Sequence, residues 1–337
     1  MSWDRVEVTV FGADQQPALR VAATTDGAAA APEAAERLML ADAAAAAPDP
    51  ALRRSFSLLQ ANRERPYYDA EADATAREAY YRDIPAQSTP EERFRALSQL
   101  VRRTHTTVLS YGDARYQHLY PWVDLQENRM LRSLYTGDEY PPEKVIQEDF
   151  LLESARMAQL RTWMASSARF AGELSMSDVQ AQLEALDEQG PYNCEHVVPQ
   201  SWFKPRSLPM KSDLHHLFTC DTRCNSFRDN IPFGITGLTG EPCGKKSGNE
   251  FEPANGKGAA SRATLYFLLR YPGEVNDHPN EYTASDIATL LQWHNAEPVS
   301  RFELHRNAAV HAAQGNRNPL IDHPGWAASI AFHLGLG

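Results

Sequence analysis

Asn193-Cys194-Glu195-His196-Val197-Val198-Pro199 is the stretch on which the reading turns. It sets an acid beside a histidine at the end of a short apolar segment, which predicts a strand over 192–198. Working outward, Asp213-Leu214-His215-His216-Leu217 opens a second predicted strand over 213–219. Asn225-Ser226-Phe227-Arg228-Asp229-Asn230 lies on a short predicted helix over 221–229. Pro191, Pro199, Pro205, Pro209 and Pro232 punctuate the region, keep its elements short and make 199–212 an irregular loop. A strand–loop–strand–helix of this size can fold its polar residues onto one small site. Asn225 and Arg228 are three apart and share a helix face.

These residue types suit hydrolysis of a phosphodiester. Water must lose a proton, charge on the phosphate must be offset and the leaving oxygen stabilised. An imidazole near its reference pKa of about 6.5 is largely neutral above pH 7 and can take that proton. A divalent cation and an arginine can offset the charge. Glu195 and Asn225 offer hard oxygen ligands of the kind Mg²⁺ prefers. Neighbouring residues on a regular strand point to opposite faces, so Glu195 and His196 converge only if the strand ends or bulges there. Taken singly each piece is bland, since an isolated Glu–His pair is most often a satisfied structural pair. No His-Glu-x-x-His occurs, so a zincin-type protease has no support.

Composition bounds the rest. The chain has 337 residues, 42% hydrophobic and 23% charged, which is ordinary globular composition and excludes collagen-like, coiled-coil or largely disordered chains. Its apolar runs fall short of the roughly 18 residues of a membrane span. The net charge of −11 at first argues against a nucleic-acid partner. Residues 191–270, however, carry ten Lys/Arg against seven Asp/Glu, leaving that stretch locally basic. The first twenty residues carry Asp4 and Glu7 and lack a basic start followed by an apolar core, so the expectation is that the chain stays where it is made.

Alternation of Val6, Val8 and Val10 predicts a strand over 3–11, which 18–24 could pair. Residues 22–52 hold fifteen alanines and read as a linker, so 1–60 are expected to form an N-terminal extension and 61–330 the main domain. Thr89-Pro90-Glu91-Glu92 is a helix start with a capping box, continued by Phe94, Leu97, Val101 and Val108 and closed near Gly112. Ser177 with Gln180 starts another helix that Gly190 closes. Residues 142–174, 259–270 and 284–313 also read as helical. The fold class is α+β: a mostly helical body with an inserted ββα site at about 191–234.

The joint order of motifs is more specific than its parts. Tyr192-Asn193-x-Glu195-His196-Val197-Val198-Pro199-x-Ser201-Trp202-Phe203, then Asp213 to Leu217, then Asn225-Ser226-x-Arg228-x-Asn230-x-Pro232-x-Gly234 resembles the bacterial endonuclease I family, nonspecific nucleases of the ββα-metal (His-Me finger) class. Phe251-Glu252-Pro253, Gly256-Lys257-Gly258, Trp293-His294 and Gln314-Gly315-Asn316-Arg317-Asn318-Pro319 continue the likeness, and Pro66-Tyr67-Tyr68 and Tyr120-Pro121-Trp122-Val123-Asp124 extend it upstream. The resemblance spans roughly 60–327. It implies His196 as the general base, Glu195 and Asn225 as ligands of one divalent ion, usually Mg²⁺ with Mn²⁺ as a substitute, and Arg228 as a phosphate contact. His215, Arg262 and Arg317 match family positions and are candidate substrate contacts; for each arginine, bracing the fold is an equal alternative. His216 stands where other members have asparagine. The implied substrate is DNA, often also RNA, cleaved to 5′-phosphates. Members are commonly secreted or periplasmic, which leaves localisation open.

Two other functions stay open on the sequence: a catalytically silent nucleic-acid-binding module, and a metal phosphoesterase acting on small substrates. Cys194, Cys220, Cys224 and Cys243 all fall in the site region. Disulfides and buried free thiols rank equally for them, and a four-thiolate structural Zn²⁺ site ranks behind both.

Overall fold

The computed structural model describes residues 5–11, 17–24, 49–170, 192–202, 208–237 and 242–337. The expected helix at 177–190 and most of the alanine-rich stretch lie outside these. The chain divides into two compact units, Met1–Pro50 and Ala51–Gly337. In the first, β1 (Arg5–Phe11) pairs antiparallel with β2 (Pro17–Thr24), Val8 opposite Val21, as the alternation predicts.

The second unit is mostly helical with small antiparallel sheets, an α+β architecture. It opens with α1 (Pro50–Arg63), α2 (Ala70–Tyr81) and α3 (Pro90–Thr104). The start of α3 is the predicted one. Thr89 accepts from the Glu92 amide and Glu92 reaches back to the Thr89 amide, satisfying two otherwise orphaned donors. Phe94, Leu97 and Val101 are buried along one face, each contributing about 2 kcal/mol of burial. The helix stops at Thr104, earlier than Gly112 suggests, and Val108 is exposed. The amides of Thr106 and Thr107 turn away to the carbonyl of Gln314, so a tertiary partner ends a helix that the periodicity would extend.

A single turn, α4 (Tyr111–Asp113), runs into a wide π-helical stretch over Ala114–Val123. Pro121 lacks a backbone N–H, and the chain closes instead with the Asp124 amide on Leu119 O, five residues back. This sets buried Asp124 against the site: Oδ2 accepts from the Thr219 amide at 2.6 Å and Oδ1 from Arg306 Nε at 2.9 Å. The short strands β3 (Leu131–Arg132) and β4 (Glu139–Tyr140) precede the long α5 (Pro142–Phe170).

The ββα arrangement follows. β5 (Tyr192–His196) pairs antiparallel with β6 (Leu217–Asp221), and α7 (Thr222–Arg228) follows directly. The second strand begins four residues later than predicted, because Asp213–His216 form a turn instead. The predicted loop holds a helical turn at Gln200–Trp202 and α6 (Leu208–Ser212). β7 (Gly244–Ser247) and β8 (Glu250–Pro253) form a hairpin that the Gly/Lys-rich sequence hides. The remainder is α8 (Lys257–Arg270), α9 (Ala284–Ala296), α10 (Arg301–Gln314) and α11 (Pro319–Asp322). The single run expected over 284–313 is broken at Glu297-Pro298, and Ser300 caps the restart.

Two apolar clusters flank the β5–β6 hairpin. One joins α3, α8 and α9 to Val197, Val198, Phe218 and Cys220. The other joins α1, the π-helical stretch and α10 to Cys194, Leu214 and Leu217. The hairpin is therefore buried on both faces, and its polar residues must find partners inside the protein. No helix among the described residues is long and apolar enough to cross a membrane.

Candidate active site

His196 ends β5, opposite Leu217, and is 5% exposed. Its Nε2 lies 2.8 Å from the carbonyl oxygen of Lys211 on α6. A carbonyl can only accept, so Nε2 carries the proton and Nδ1 keeps the lone pair. The Gln200 amide donates to Nδ1 at 3.1 Å. The ring sits among Tyr111 at 5.5 Å and His216 at 5.6 Å between centroids. Burial, with His216 adding to it, holds this imidazole well below its usual pKa, so it is neutral at pH 7.

Glu195 reaches the other face of the hairpin. Its Oε1 accepts from Tyr135 OH at 2.5 Å and lies 3.5 Å from Arg228 Nη1. Burial raises its pKa, and the Arg228 charge and the Tyr135 hydrogen bond oppose that rise. The β5–β6 register shows no bulge, so the two side chains leave the strand on opposite faces, and their convergence depends on β5 ending at His196. Arg228 links them from α7: Nη1 lies 3.5 Å from His196 O and Nη2 donates to Val197 O at 2.8 Å. It thus ties the end of β5 to the carboxylate beside it.

Arg228, the expected phosphate contact, is interior in this structure. The residue is 1% exposed, and its guanidinium is engaged by Glu195 and two backbone carbonyls. Arg262 and Arg317 are interior as well. Arg262 makes a bidentate pair with Glu303 at 2.6 and 3.0 Å. Arg317 is clamped by Asp322 at 2.7 and 2.8 Å and by Asp73 at 2.7 Å. These carboxylate partners are what the bracing role asks for. His215 is also interior: its ring packs at a tilt against Tyr266, and its Nε2 bonds to Asn316 O at 3.2 Å.

Asn225 lies one turn before Arg228 on the same face of α7. Next to it, Cys224 is joined to Cys243, the residue before β7, by a disulfide. Cys194 and Cys220 are buried free thiols. The four-thiolate zinc site is thereby overturned, because two of its four sulfurs are bonded to each other. No group of three or more His, Cys, Asp or Glu placed to hold a metal occurs among the described residues. A cation here would rest on few protein ligands, and the donor chemistry fits a hard ion: a carboxylate and an amide oxygen. Among the described residues only Oε1 of Glu195 is engaged, so Oε2 is left for such an ion.

Gln200, Lys211, Tyr111 and Tyr135 complete the site, and none stands out in the sequence. Gln200 lies inside the motif around His196, whereas Tyr135 is 60 positions from Glu195 and reaches it only through the fold.

The small mixed fold thus carries a buried Glu–His hairpin followed directly by a helix. Residues 159–325 of the chain match the endonuclease I family. Its similarity extends to two curated proteins named extracellular ribonuclease. The one from Bacillus subtilis (strain 168) is 35% identical over 157 residues, covering 42% of this chain and 54% of the relative. The one from Bacillus amyloliquefaciens is 34% identical over the same length and shares. The chain spans about half the length of the curated relatives it matches.

Proposed function

We propose that this protein is a Mg²⁺-dependent, sequence-nonspecific endonuclease hydrolysing DNA or RNA phosphodiesters. The observation that carries the reading is the Lys211 carbonyl on His196 Nε2, which leaves Nδ1 basic on a neutral imidazole. His196 accepts the proton of the attacking water at Nδ1 once that water takes the place of the Gln200 amide on the nitrogen's single lone pair. Glu195 and Asn225 hold the divalent ion, with Mn²⁺ as a substitute. When bound, that ion supplies Lewis-acid stabilisation of charge on the phosphate and leaving oxygen. Arg228 acts as a positioning residue: it fixes the end of β5 and the carboxylate together. Contacts made to phosphate rather than to base edges account for nonspecific cleavage.

The names of the two Bacillus relatives favour RNA among the substrates. The Cys224–Cys243 bond and the word extracellular in those names both favour work in an oxidising compartment. The test is digestion of plasmid DNA and of single-stranded RNA with Mg²⁺, with EDTA, and by His196→Ala. Cleavage that survives EDTA would remove the metal from the reading. Cleavage that survives the substitution would remove the base.

A further inference from the structure

Away from the His196 ring, α3 and the end of α8 border a groove of about 840 Å³. Arg95, Arg102, Arg103 and Arg270 line it over an apolar floor that includes Phe94 and Leu334. Arg95, Arg102 and Arg103 stand at i, i+7 and i+8 on α3, so one helix face presents all three. All three are exposed, and among the described residues no carboxylate lines the groove. In a chain of net charge −11 that segregation calls for a cause. Helix C-termini attract basic residues, which accounts for Arg102, Arg103 and Arg270 one by one. It accounts neither for Arg95, two turns earlier, nor for two helix ends converging on one acid-free groove. The ion pair Arg103–Asp83 at 3.7 Å is exposed on both sides and weak.

The groove is wired to the site. Arg270 Nε lies 3.2 Å from His105 Nδ1, and that nitrogen lies 3.8 Å from Asp213 Oδ2. Tyr271, between the groove residues Arg270 and Pro272, donates to Pro209 O on α6 at 2.9 Å. The same short helix offers its Lys211 carbonyl to His196. Tyr271 and the short helix α6 thus connect the groove to the base through the protein. The Lys211 ammonium lies over the Tyr111 ring at 4.8 Å, and that ring packs against His196.

We propose that this arginine groove is a nucleic-acid backbone site, holding the strand that flanks the phosphodiester presented to His196. Guanidinium forks match phosphate oxygens, and the apolar floor accepts sugar faces. The groove reads no base, so it adds affinity without sequence preference. The inference rests on the nuclease reading for its partner.

The test uses the full chain with Arg95, Arg102 and Arg103 all changed to Glu, and separately with Arg102→Gln alone. Binding of a labelled DNA duplex is followed in EDTA against salt concentration, and cleavage of duplex and of bis(p-nitrophenyl) phosphate is followed in Mg²⁺. Each phosphate contact adds about 0.9 to the logarithmic salt slope of duplex binding. The triple variant is expected to flatten that slope by about two to three and to raise duplex KM about tenfold or more. Arg102→Gln is expected to flatten it by about one. Turnover of the small diester stays at the wild-type rate, which also shows that the variants fold. Unchanged salt slopes and duplex KM in both variants would overturn the groove. Failure of the nuclease reading looks different: wild type would cleave neither substrate, and the binding slopes would still report on the groove.

Discussion

His196 Nε2 and the backbone oxygen of Lys211, 2.8 Å apart, join the end of β5 to a five-residue helix fifteen positions downstream. This bond decides which nitrogen is basic before any substrate arrives. A main-chain acceptor cannot be removed by substitution, so the tautomer is set by the fold of α6 rather than by another side chain.

His196→Ala is therefore expected to lower kcat by about 10²–10⁴-fold while leaving the far-UV circular dichroism unchanged. Plasmid nicking under single-turnover conditions measures it. A rate within twofold of wild type would show that the proton leaves by another route.

Gln200→Glu would put a carboxylate beside Nδ1 and favour the imidazolium. Wild-type kcat/KM should fall on acidification only below the ordinary histidine range, because burial keeps His196 neutral. In Gln200→Glu the acid limb should move to higher pH by about one unit or more. A pH–rate profile that does not move would place the titrating group elsewhere.

Arg317→Met leaves Asp73 and Asp322 buried without their shared cation. Removing one partner of a buried pair costs about 3–5 kcal/mol, which urea denaturation would register as a large drop in midpoint. The activity of the fraction that remains folded should match wild type. A selective loss of nucleic-acid affinity in folded protein would give a contact role to this arginine.

Stability should fall in acid. Burial drives the His215 pKa down to about 3, with the Asp213 charge opposing, whereas the unfolded residue titrates near about 6.5. Between those values the unfolded chain binds the extra proton, so stability is complete above about pH 6.5 and drains away as the pH falls toward 3. The loss amounts to several kcal/mol as an order of magnitude. Urea midpoints at successive pH values would show it, and a flat profile across that window would mean that His215 is protonated in the native state.

Cys224→Ser with Cys243→Ser opens a loop of sequence separation 19 and is expected to cost about 3 kcal/mol. Because Asn225 is the next residue, the same variant should need more Mg²⁺ for half-maximal activity. An unchanged metal requirement would uncouple the disulfide from the metal ligand.

Local chemistry carried much of the architecture. The Thr89 capping box starts α3 because its two hydrogen bonds close within four residues. β1 and β2 pair because alternating residues sort between two faces. The ββα order is legible because β5, the turn at Asp213 and α7 each carry their signals in a few neighbouring positions. Where a distant partner decides, the reading slips. The periodicity of α3 runs on past Thr104, but the Gln314 carbonyl draws the next amides aside. The β7–β8 hairpin has too little apolar alternation to announce itself.

By itself, then, the sequence determined the class of fold, the family likeness and the residues that gather at one hairpin, because residue type and spacing set hydrogen-bonding capacity and which faces can be buried. Only the tertiary structure decided what those residues do there. It turned Arg228, Arg262 and Arg317 inward onto carboxylates and carbonyls, because a buried guanidinium must be satisfied where it lies. It also set the Lys211 carbonyl on one nitrogen of His196, a choice that no local pattern encodes because it depends on where an unrelated stretch of backbone comes to rest.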